Sequence, residues 1–133
     1  MSGNGYDGGG KSQALKKRTK QFSLRVLTLF RSLPKNDESR IIGRQLLRSA
    51  TSVGANYRAV CRARSRKEFV SKMGIVVEEA DETLFWMELL VEGSIMSSHR
   101  LGPLMAEGNE LLAIFAASLE TAKRNLRRPV RKQ

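Results

Sequence analysis

The chain has 133 residues, with 24 Lys and Arg against 13 Asp and Glu, so its formal net charge is +11 and its length suits one domain. Hydrophobic residues make up 41% of the sequence, as in soluble globular proteins, and no apolar run reaches the roughly 18–20 residues that span a bilayer. The positive charge favours partners that carry phosphate, and the absence of a Ser/His/Asp set, a Walker loop or a dinucleotide fingerprint disfavours an enzyme.

Residues 1–12 are rich in glycine and polar side chains, which predicts a disordered leader. From about residue 13, apolar residues recur at spacings of three and four, which indicates a helix. This helix is predicted to end at about residue 33, because Pro34 disfavours helical geometry in the residue before it. Its apolar face comprises Leu15, Phe22, Val26, Leu29 and Leu33.

The second predicted helix begins after a cap at Asn36 or Asp37 and runs to about residue 63. Its apolar seam has a regular 4-3-4-3 spacing and comprises Leu46, Ala50, Val53, Tyr57 and Val60. Gly43 and Gly54 interrupt the helix, and each glycine costs about 1 kcal/mol relative to alanine. We expect the close approach of a neighbouring helix at these small residues to compensate.

Two more helices are predicted in the second half of the chain. Ser65 and Glu68 match a capping box at the start of the third helix, which extends to about residue 93. Ser97 or Ser98 caps the fourth helix.

Four amphipathic helices with short connections, over residues 13–126, predict an all-α domain that folds as an antiparallel up-down four-helix bundle. The remaining residues, 127–133, are predicted to form a basic flexible tail. Cys61 is the single cysteine, which excludes an internal disulfide and is typical of a reducing cytoplasm, the predicted location.

Basic residues are concentrated in residues 11–72, which hold 17 of the 24 Lys and Arg, whereas residues 73–122 hold nine acids and one base. On a helical wheel, the arginines of the second helix lie opposite its apolar seam; we call Arg40, Arg44, Arg48, Arg58 and Arg62 the arginine stripe. Like charges four residues apart repel each other, and arginine suits bidentate phosphate contacts, so an anionic partner is expected. The candidate nucleic-acid-binding residues are the stripe together with Arg64, Arg66 and Lys67.

The stripe has a second interpretation, in which it is solvated or forms ion pairs with the acidic third helix, at Glu78, Glu79, Asp81 and Glu82. A metal site built from these acids is disfavoured, because His99, the only histidine, does not complete a helical Glu-x-x-His pair, and no cofactor is expected. Aromatic residues make up only 6% of the chain, so contacts to the nucleic-acid backbone are favoured over base stacking.

The run Gln45–Asn56 reads QLLRSATSVGAN, and weaker features of the same kind are Phe22 with Arg25, Leu33-Pro34 and Ser65-x-x-Glu68-Phe69. In these features the sequence resembles, over about residues 18–126, the bacterial four-helix-bundle proteins encoded in intervening sequences of ribosomal RNA genes. It is also similar to the accessory variability determinant of diversity-generating retroelements. Many members continue after the asparagine with Ile-Ala-Glu-Gly, whereas this chain has Tyr57-Arg58-Ala59-Val60 and is more cationic there.

The resemblance implies a homopentameric ring or barrel, with nucleic acid and a reverse transcriptase as partners. Taken with the stripe, it predicts a non-enzymatic oligomer that contacts the phosphate backbone of RNA or DNA. The alternative is a protein–protein interaction module whose basic face docks an acidic protein surface. A membrane partner is not expected, because the core requires the apolar face of the first helix.

Overall fold

The computed structural model describes residues 5–128, which form four α-helices and contain no strand. The helices are α1 (Gly5–Arg31), α2 (Asp37–Cys61), α3 (Arg66–Glu92) and α4 (Ser98–Arg127). Each helix packs against the next one along the chain, and α1 also contacts α4. The prediction of an all-α four-helix bundle is therefore confirmed. Within residues 5–128 no helix has both the length and the apolar character needed to cross a membrane.

Polar side chains cap the starts of α2, α3 and α4 where the sequence predicted them. Each cap oxygen accepts a hydrogen bond from the backbone N–H three residues later: Asn36 from Ser39 at 2.9 Å, Ser65 from Glu68 at 3.0 Å, and Ser97 from Arg100 at 3.1 Å. The Glu68 carboxylate accepts from the N–H of Arg64 at 2.8 Å, one residue before the donor that a capping box uses.

The start of α1 differs most from the prediction. The structure continues this helix through residues 5–12, which the sequence assigned to a disordered leader, while residues 1–4 lie outside the described part of the chain. Adding a residue to an existing helix is far easier than nucleating one, so a helix whose Leu15 is buried can extend through glycines of low propensity. The predicted tail lies outside the described residues from position 129 onward.

The apolar faces predicted for the first two helices are buried in the core, where side chains of α3 and α4 pack against them. The largest fully buried side chains include Phe115, Leu46 and Met87. A buried hydrogen bond of 3.0 Å, from the Thr83 hydroxyl to the Ser49 hydroxyl, joins α3 to α2. Burial of these residues holds α2 firmly in place, so its outward face presents a defined array of side chains.

The glycines of α2 allow α1 to approach it, as predicted, but to different degrees along its length. A Cβ atom on Gly43 would lie 2.6 Å from Cδ1 of Leu33, which is closer than real contacts allow. A Cβ atom on Gly54 would meet its nearest neighbour, Oγ1 of Thr19, at 3.4 Å. Large side chains therefore fill the space beside Gly43, whereas beside Gly54 the backbone of α1 itself lies close, with the carbonyl oxygen of Thr19 3.5 Å from an added Cβ atom.

Candidate anion-binding groove between the first two helices

A groove of about 470 Å³ lies between α1 and the second half of α2. Four basic side chains line it, and we call them the groove cations: Lys16 and Lys20 from α1, and Arg58 and Arg62 from α2. Each helix contributes its pair at positions i and i+4, which fall one above the other on the same helix face. The remaining lining residues, Thr19, Ser23, Thr51, Gly54 and Ala55, carry no charge. The groove therefore has two basic walls and a neutral floor, and we call it the basic groove.

None of the groove cations forms an ion pair with any carboxylate in residues 9–128, whose side chains the structure describes. Lys20, Arg58 and Arg62 are exposed, and Lys16 is half-buried. Four cations held on two fixed helices without acids beside them produce a strongly positive local potential, which attracts anions and raises their local concentration. The groove is consequently prepared for a ligand with more than one negative charge.

Direct contact between the two helices shapes the floor of the groove. The hydroxyl of Ser23 lies 3.3 Å from the carbonyl oxygen of Ala50, within hydrogen-bonding distance across the helix interface. Gly54 lies opposite Thr19, where an added Cβ atom would meet Oγ1 of Thr19 at 3.4 Å, so the glycine lets the two helices pack in direct contact below the groove. A larger residue at this position of α2 would narrow the groove.

Arg48, at the centre of the arginine stripe, is held by acids of α3. Its Nη1 lies 3.2 Å from Oε1 of Glu79, and its Nη2 also contacts the carboxylate of Glu82. The hydrogen bond to Glu82 and the charges of both acids raise the pKa of Arg48. Glu82 also accepts a hydrogen bond from the indole N–H of Trp86 at 2.9 Å. Arg48 thus forms the pairing that the second interpretation of the stripe predicted.

The beginning of the stripe lies away from the basic groove. Arg40 pairs with Asp37, one turn earlier in α2, at 3.0 Å. Such an exposed pair within one helix contributes little to stability. Arg44 is exposed and has no ion-pair partner within residues 5–128. The structure therefore divides the five arginines of the stripe, and only Arg58 and Arg62 line the groove.

The three basic residues predicted at the α2–α3 turn, Arg64, Arg66 and Lys67, are all exposed. Arg64 and Arg66 line a separate cleft of about 480 Å³ at the end of the bundle, with Tyr57 and Phe69. They are therefore near the basic groove without lining it.

The sequence did not predict the α1 wall of the groove. Lys16 and Lys20 lie on the polar side of the first predicted helix, and their spacing of four was the only available signal. Which polar side chains of one helix face those of another depends on the rotation of the packed helices. That rotation is a tertiary property, so the pairing of α1 lysines with α2 arginines appears only in the structure.

A second ion-pair network, also absent from the sequence prediction, joins α1 to α4. Arg18 donates to both oxygens of Glu107, at 3.0 and 2.8 Å, and to Glu110 at 2.7 Å. These carboxylates raise the pKa of Arg18, so its guanidinium remains charged. The Arg18 guanidinium therefore joins α1 to α4 and is paired with carboxylates. Among residues 5–128, no group of three or more His, Cys, Asp and Glu side chains is arranged to hold a metal ion.

Comparisons with known proteins agree with this architecture. Residues 11–117 match a family model described as 23S rRNA-intervening sequence protein. The chain is also similar to the crystal structure of a protein with unknown function, from the S23 ribosomal protein family of Bacteroides thetaiotaomicron. The two share 28% sequence identity and a TM-score of 0.76, over 83% of this chain and 98% of that chain. No curated protein matches. The resemblance to the intervening-sequence proteins is thereby confirmed.

Proposed function

This chain belongs to the 23S rRNA-intervening sequence protein family, and we propose a function for it from its charge distribution. We propose that it is a non-enzymatic, self-associating protein that binds the phosphate backbone of nucleic acid in the basic groove. The observation that carries the proposal is the set of four groove cations, supplied by two helices and not neutralised by any carboxylate in residues 9–128.

The spacing of the groove cations suits a repeating anion. Residues four apart on a helix are separated by about 6 Å along its axis. A nucleic-acid strand carries one phosphate for roughly every 3.4 Å of helix axis, so the pairs on α1 and α2 can contact more than one phosphate of the same strand. The two arginines can each contact a phosphate through two N–H groups.

The lining of the groove favours backbone binding over base recognition. It contains no aromatic side chain on which a base could stack, and no amide or carboxylate that could contact base edges. Contacts to phosphate fix a protein on its nucleic acid but carry little sequence information. The groove is therefore proposed to bind without regard to base sequence.

Self-association uses a different surface of the bundle. Ile41 of α2 is 62% exposed, and Phe85 and Leu89 of α3 are 51% and 36% exposed. Ile41 lies seven residues before Arg48, and Leu89 lies seven residues after Glu82, the partner of Arg48. Since α2 and α3 are antiparallel, Ile41 and Leu89 fall at a similar level, and Phe85 lies one helical turn from Leu89. We infer that the three form one apolar patch, a common feature of protein interfaces.

The patch and the basic groove lie at opposite ends of α2, so assembly through the patch leaves the groove open. Ile41 and Arg58 are separated by about 26 Å along the helix axis. A homopentamer, the assembly that the family resemblance implies, would present five grooves to one nucleic acid and increase avidity. Replacing both Ile41 and Phe85 with glutamate is expected to yield monomers in sedimentation velocity. An unchanged oligomer would contradict this role of the patch.

Nucleic-acid binding is tested by fluorescence anisotropy with a labelled oligonucleotide at increasing salt. The groove variant replaces Lys16, Lys20, Arg58 and Arg62 with glutamine. A control variant replaces Lys35, Lys67, Arg40 and Arg44 with glutamine, so it loses the same charge with the same residue types. Wild-type affinity is expected to fall roughly 50- to 150-fold between about 50 and 200 mM salt if four phosphates are neutralised.

The groove variant is expected to bind at least about tenfold more weakly and with a shallower salt dependence, whereas the control stays within about threefold of wild type. Equal losses in the two variants would show that total charge, and not the groove, determines binding. Absence of wild-type binding at about 50 mM salt would refute nucleic-acid binding altogether.

A second candidate function is the docking of an acidic protein surface, and the Arg48 ion pairs favour it because they show this face accepting carboxylates. Sedimentation of wild type and the groove variant, with and without nucleic acid, separates the two functions. Docking onto an acidic neighbouring subunit predicts that the groove variant dissociates and that nucleic acid has no effect. Phosphate binding predicts that the variant retains its oligomeric state.

A further inference from the structure

The floor of the basic groove carries three hydroxyl groups whose protons are already donated. Each hydroxyl donates to a backbone carbonyl of its own helix: Thr19 to Leu15 at 2.9 Å, Ser23 to Thr19 at 3.0 Å, and Thr51 to Leu47 at 2.8 Å. A hydroxyl has one proton and two acceptor lone pairs. The floor therefore offers oxygen acceptors to a ligand, while its donors remain bound to the protein backbone.

Two of the three residues that carry these hydroxyls are accessible to solvent and line the groove. Thr19 is only 1% exposed, whereas Ser23 is half-buried and Thr51 is exposed. Each accessible hydroxyl also has a second carbonyl within reach: Ala50 for Ser23 at 3.3 Å, and Arg48 for Thr51 at 3.1 Å. Whichever carbonyl accepts the proton, the ligand meets an oxygen lone pair at Ser23 and at Thr51.

One ligand that contacts both the walls and the floor must therefore accept hydrogen bonds from the walls and donate hydrogen bonds to the floor. Lysine and arginine can only donate hydrogen bonds, and phosphate oxygens can only accept them. An accepting floor between donating walls is complemented by a ligand that carries a donor beside its phosphates. The DNA backbone has no such donor, whereas every ribose of RNA has a 2′-hydroxyl that can donate.

Building on the proposed function, we infer that the basic groove selects RNA over DNA. The groove cations bind successive phosphates, and the Ser23 and Thr51 oxygens accept hydrogen bonds from ribose 2′-hydroxyls. No aromatic, amide or carboxylate side chain lines the groove, so we take the sugar as the part of the strand that distinguishes the two nucleic acids. The preference is independent of base sequence.

The test compares labelled oligomers of uridine, deoxyuridine and 2′-O-methyluridine, all of one length, binding to the full-length protein. Uridine oligomers are expected to bind about three- to tenfold more tightly than both others, the range for one or two neutral hydrogen bonds. The methylated oligomer keeps the 2′-oxygen and loses only the proton, so it separates hydrogen-bond donation from sugar conformation. The ratio between RNA and DNA should persist at higher salt, although both affinities decrease.

Ser23→Ala combined with Thr51→Val removes both acceptors and retains nearly the same side-chain volumes. We expect this variant to lose the preference, so that it binds uridine and deoxyuridine oligomers with equal affinity. Thr51→Ser, in contrast to Thr51→Val, keeps a hydroxyl oxygen at that position and should retain the preference for RNA. Circular dichroism and thermal unfolding of each variant are the control that checks whether the bundle is intact.

Equal binding of the three oligomers, with weaker binding by the groove variant, would overturn the RNA preference and leave phosphate binding standing. Equal binding of uridine and 2′-O-methyluridine with weaker deoxyuridine binding would also overturn it, because sugar conformation would then be responsible. No binding of any oligomer would refute the proposed function itself.

Discussion

The two halves of α2 carry the same kind of positive charge and have different surroundings. In the first half, Arg40 pairs with Asp37, and Arg48 pairs with Glu79 and Glu82 of α3. In the second half, Arg58 and Arg62 face Lys16 and Lys20 of α1 across an open groove. A helical wheel treats these arginines as equivalent, but the neighbouring helix decides whether a charge is neutralised or available.

Packing shows the same contrast between the two halves. Beside Gly43, the side chains of Leu33 and Phe30 fill the space between α1 and α2. Beside Gly54, an added Cβ atom would lie at ordinary van der Waals distance from Thr19, and the basic groove is lined by both residues. The first half of α2 thus holds the two arginines that form ion pairs, Arg40 and Arg48, and the second half holds the two that line the proposed site, Arg58 and Arg62.

Charge reversal in each half provides the strongest test of this contrast. Arg58→Glu with Arg62→Glu removes two phosphate contacts and adds repulsion, so nucleic-acid affinity should fall roughly 100-fold at low salt. Arg40→Glu with Arg44→Glu makes the same change of charge at the other end of α2 and should cost less than about fivefold. Anisotropy titrations at one salt concentration measure both, and similar losses would remove the distinction between the halves.

Alanine at each glycine tests the packing contrast. Gly43→Ala forces Leu33 to move and should lower the free energy of unfolding by about 1–3 kcal/mol. Gly54→Ala meets no short contact and should raise it by up to about 1 kcal/mol, because alanine favours the helix. Urea denaturation measures both changes. Destabilisation of similar size at the two positions would mean that α1 packs evenly along α2.

Replacing one arginine in each half of α2 with glutamine tests whether its positive charge stabilises the fold. Arg48→Gln leaves Glu79 and Glu82 without their cation and should lower the free energy of unfolding by about 1 kcal/mol. Arg62→Gln, which breaks no ion pair within the described residues, should change it by less than about 0.5 kcal/mol. A double-mutant cycle with Glu82→Gln should show coupling only to Arg48.

The smallest expected effect is a pH dependence of the free energy of unfolding. It arises at Glu82 of α3, which pairs with Arg48 in the first half of α2. The indole N–H of Trp86 and the Arg48 guanidinium lower the pKa of Glu82 below its ordinary value. Its ionised form therefore stabilises the fold above its ordinary pKa, and the stabilisation is lost as pH falls through the lowered folded-state pKa. The contribution is about 0.5 kcal/mol or less, because Glu82 is partly exposed and screened by solvent.

Comparing wild type with Glu82→Gln between about pH 6 and pH 3 measures this contribution. The variant should lose less stability on acidification, while Arg62→Gln should follow the wild-type curve. Trp86 is the only tryptophan in the chain, so its fluorescence reports on this contact directly. Identical curves for wild type and Glu82→Gln would show that the contact contributes nothing to folding.

Features that depend on neighbours along the chain were predictable. Asn36, Ser65 and Ser97 cap the helices as their sequence positions indicated, because a cap bonds to an N–H only three residues away. The apolar seams predicted the core for the same reason, since helical periodicity is local. The start of α1 was mispredicted because extension of an existing helix overrides the low propensity of residues 5–12.

Only the α2 wall of the basic groove could be predicted from the sequence. The sequence indicated Arg58 and Arg62, because their separation by four residues places them opposite the seam of α2. It could not indicate that Lys16 and Lys20 lie across from them, nor that Arg48 is occupied by Glu82. Those pairings join residues more than 30 positions apart and depend on how each helix is rotated in the bundle.

By itself, therefore, the sequence determined four helices, their caps, their buried faces, the family and a large excess of positive charge. All of these follow from interactions within a few residues or from composition. The tertiary structure alone decided where that charge is neutralised, at Arg18 and Arg48, and where it is left open, between α1 and the second half of α2. The reason is physical: ion pairs and grooves depend on distances between helices, and packing of the core sets those distances.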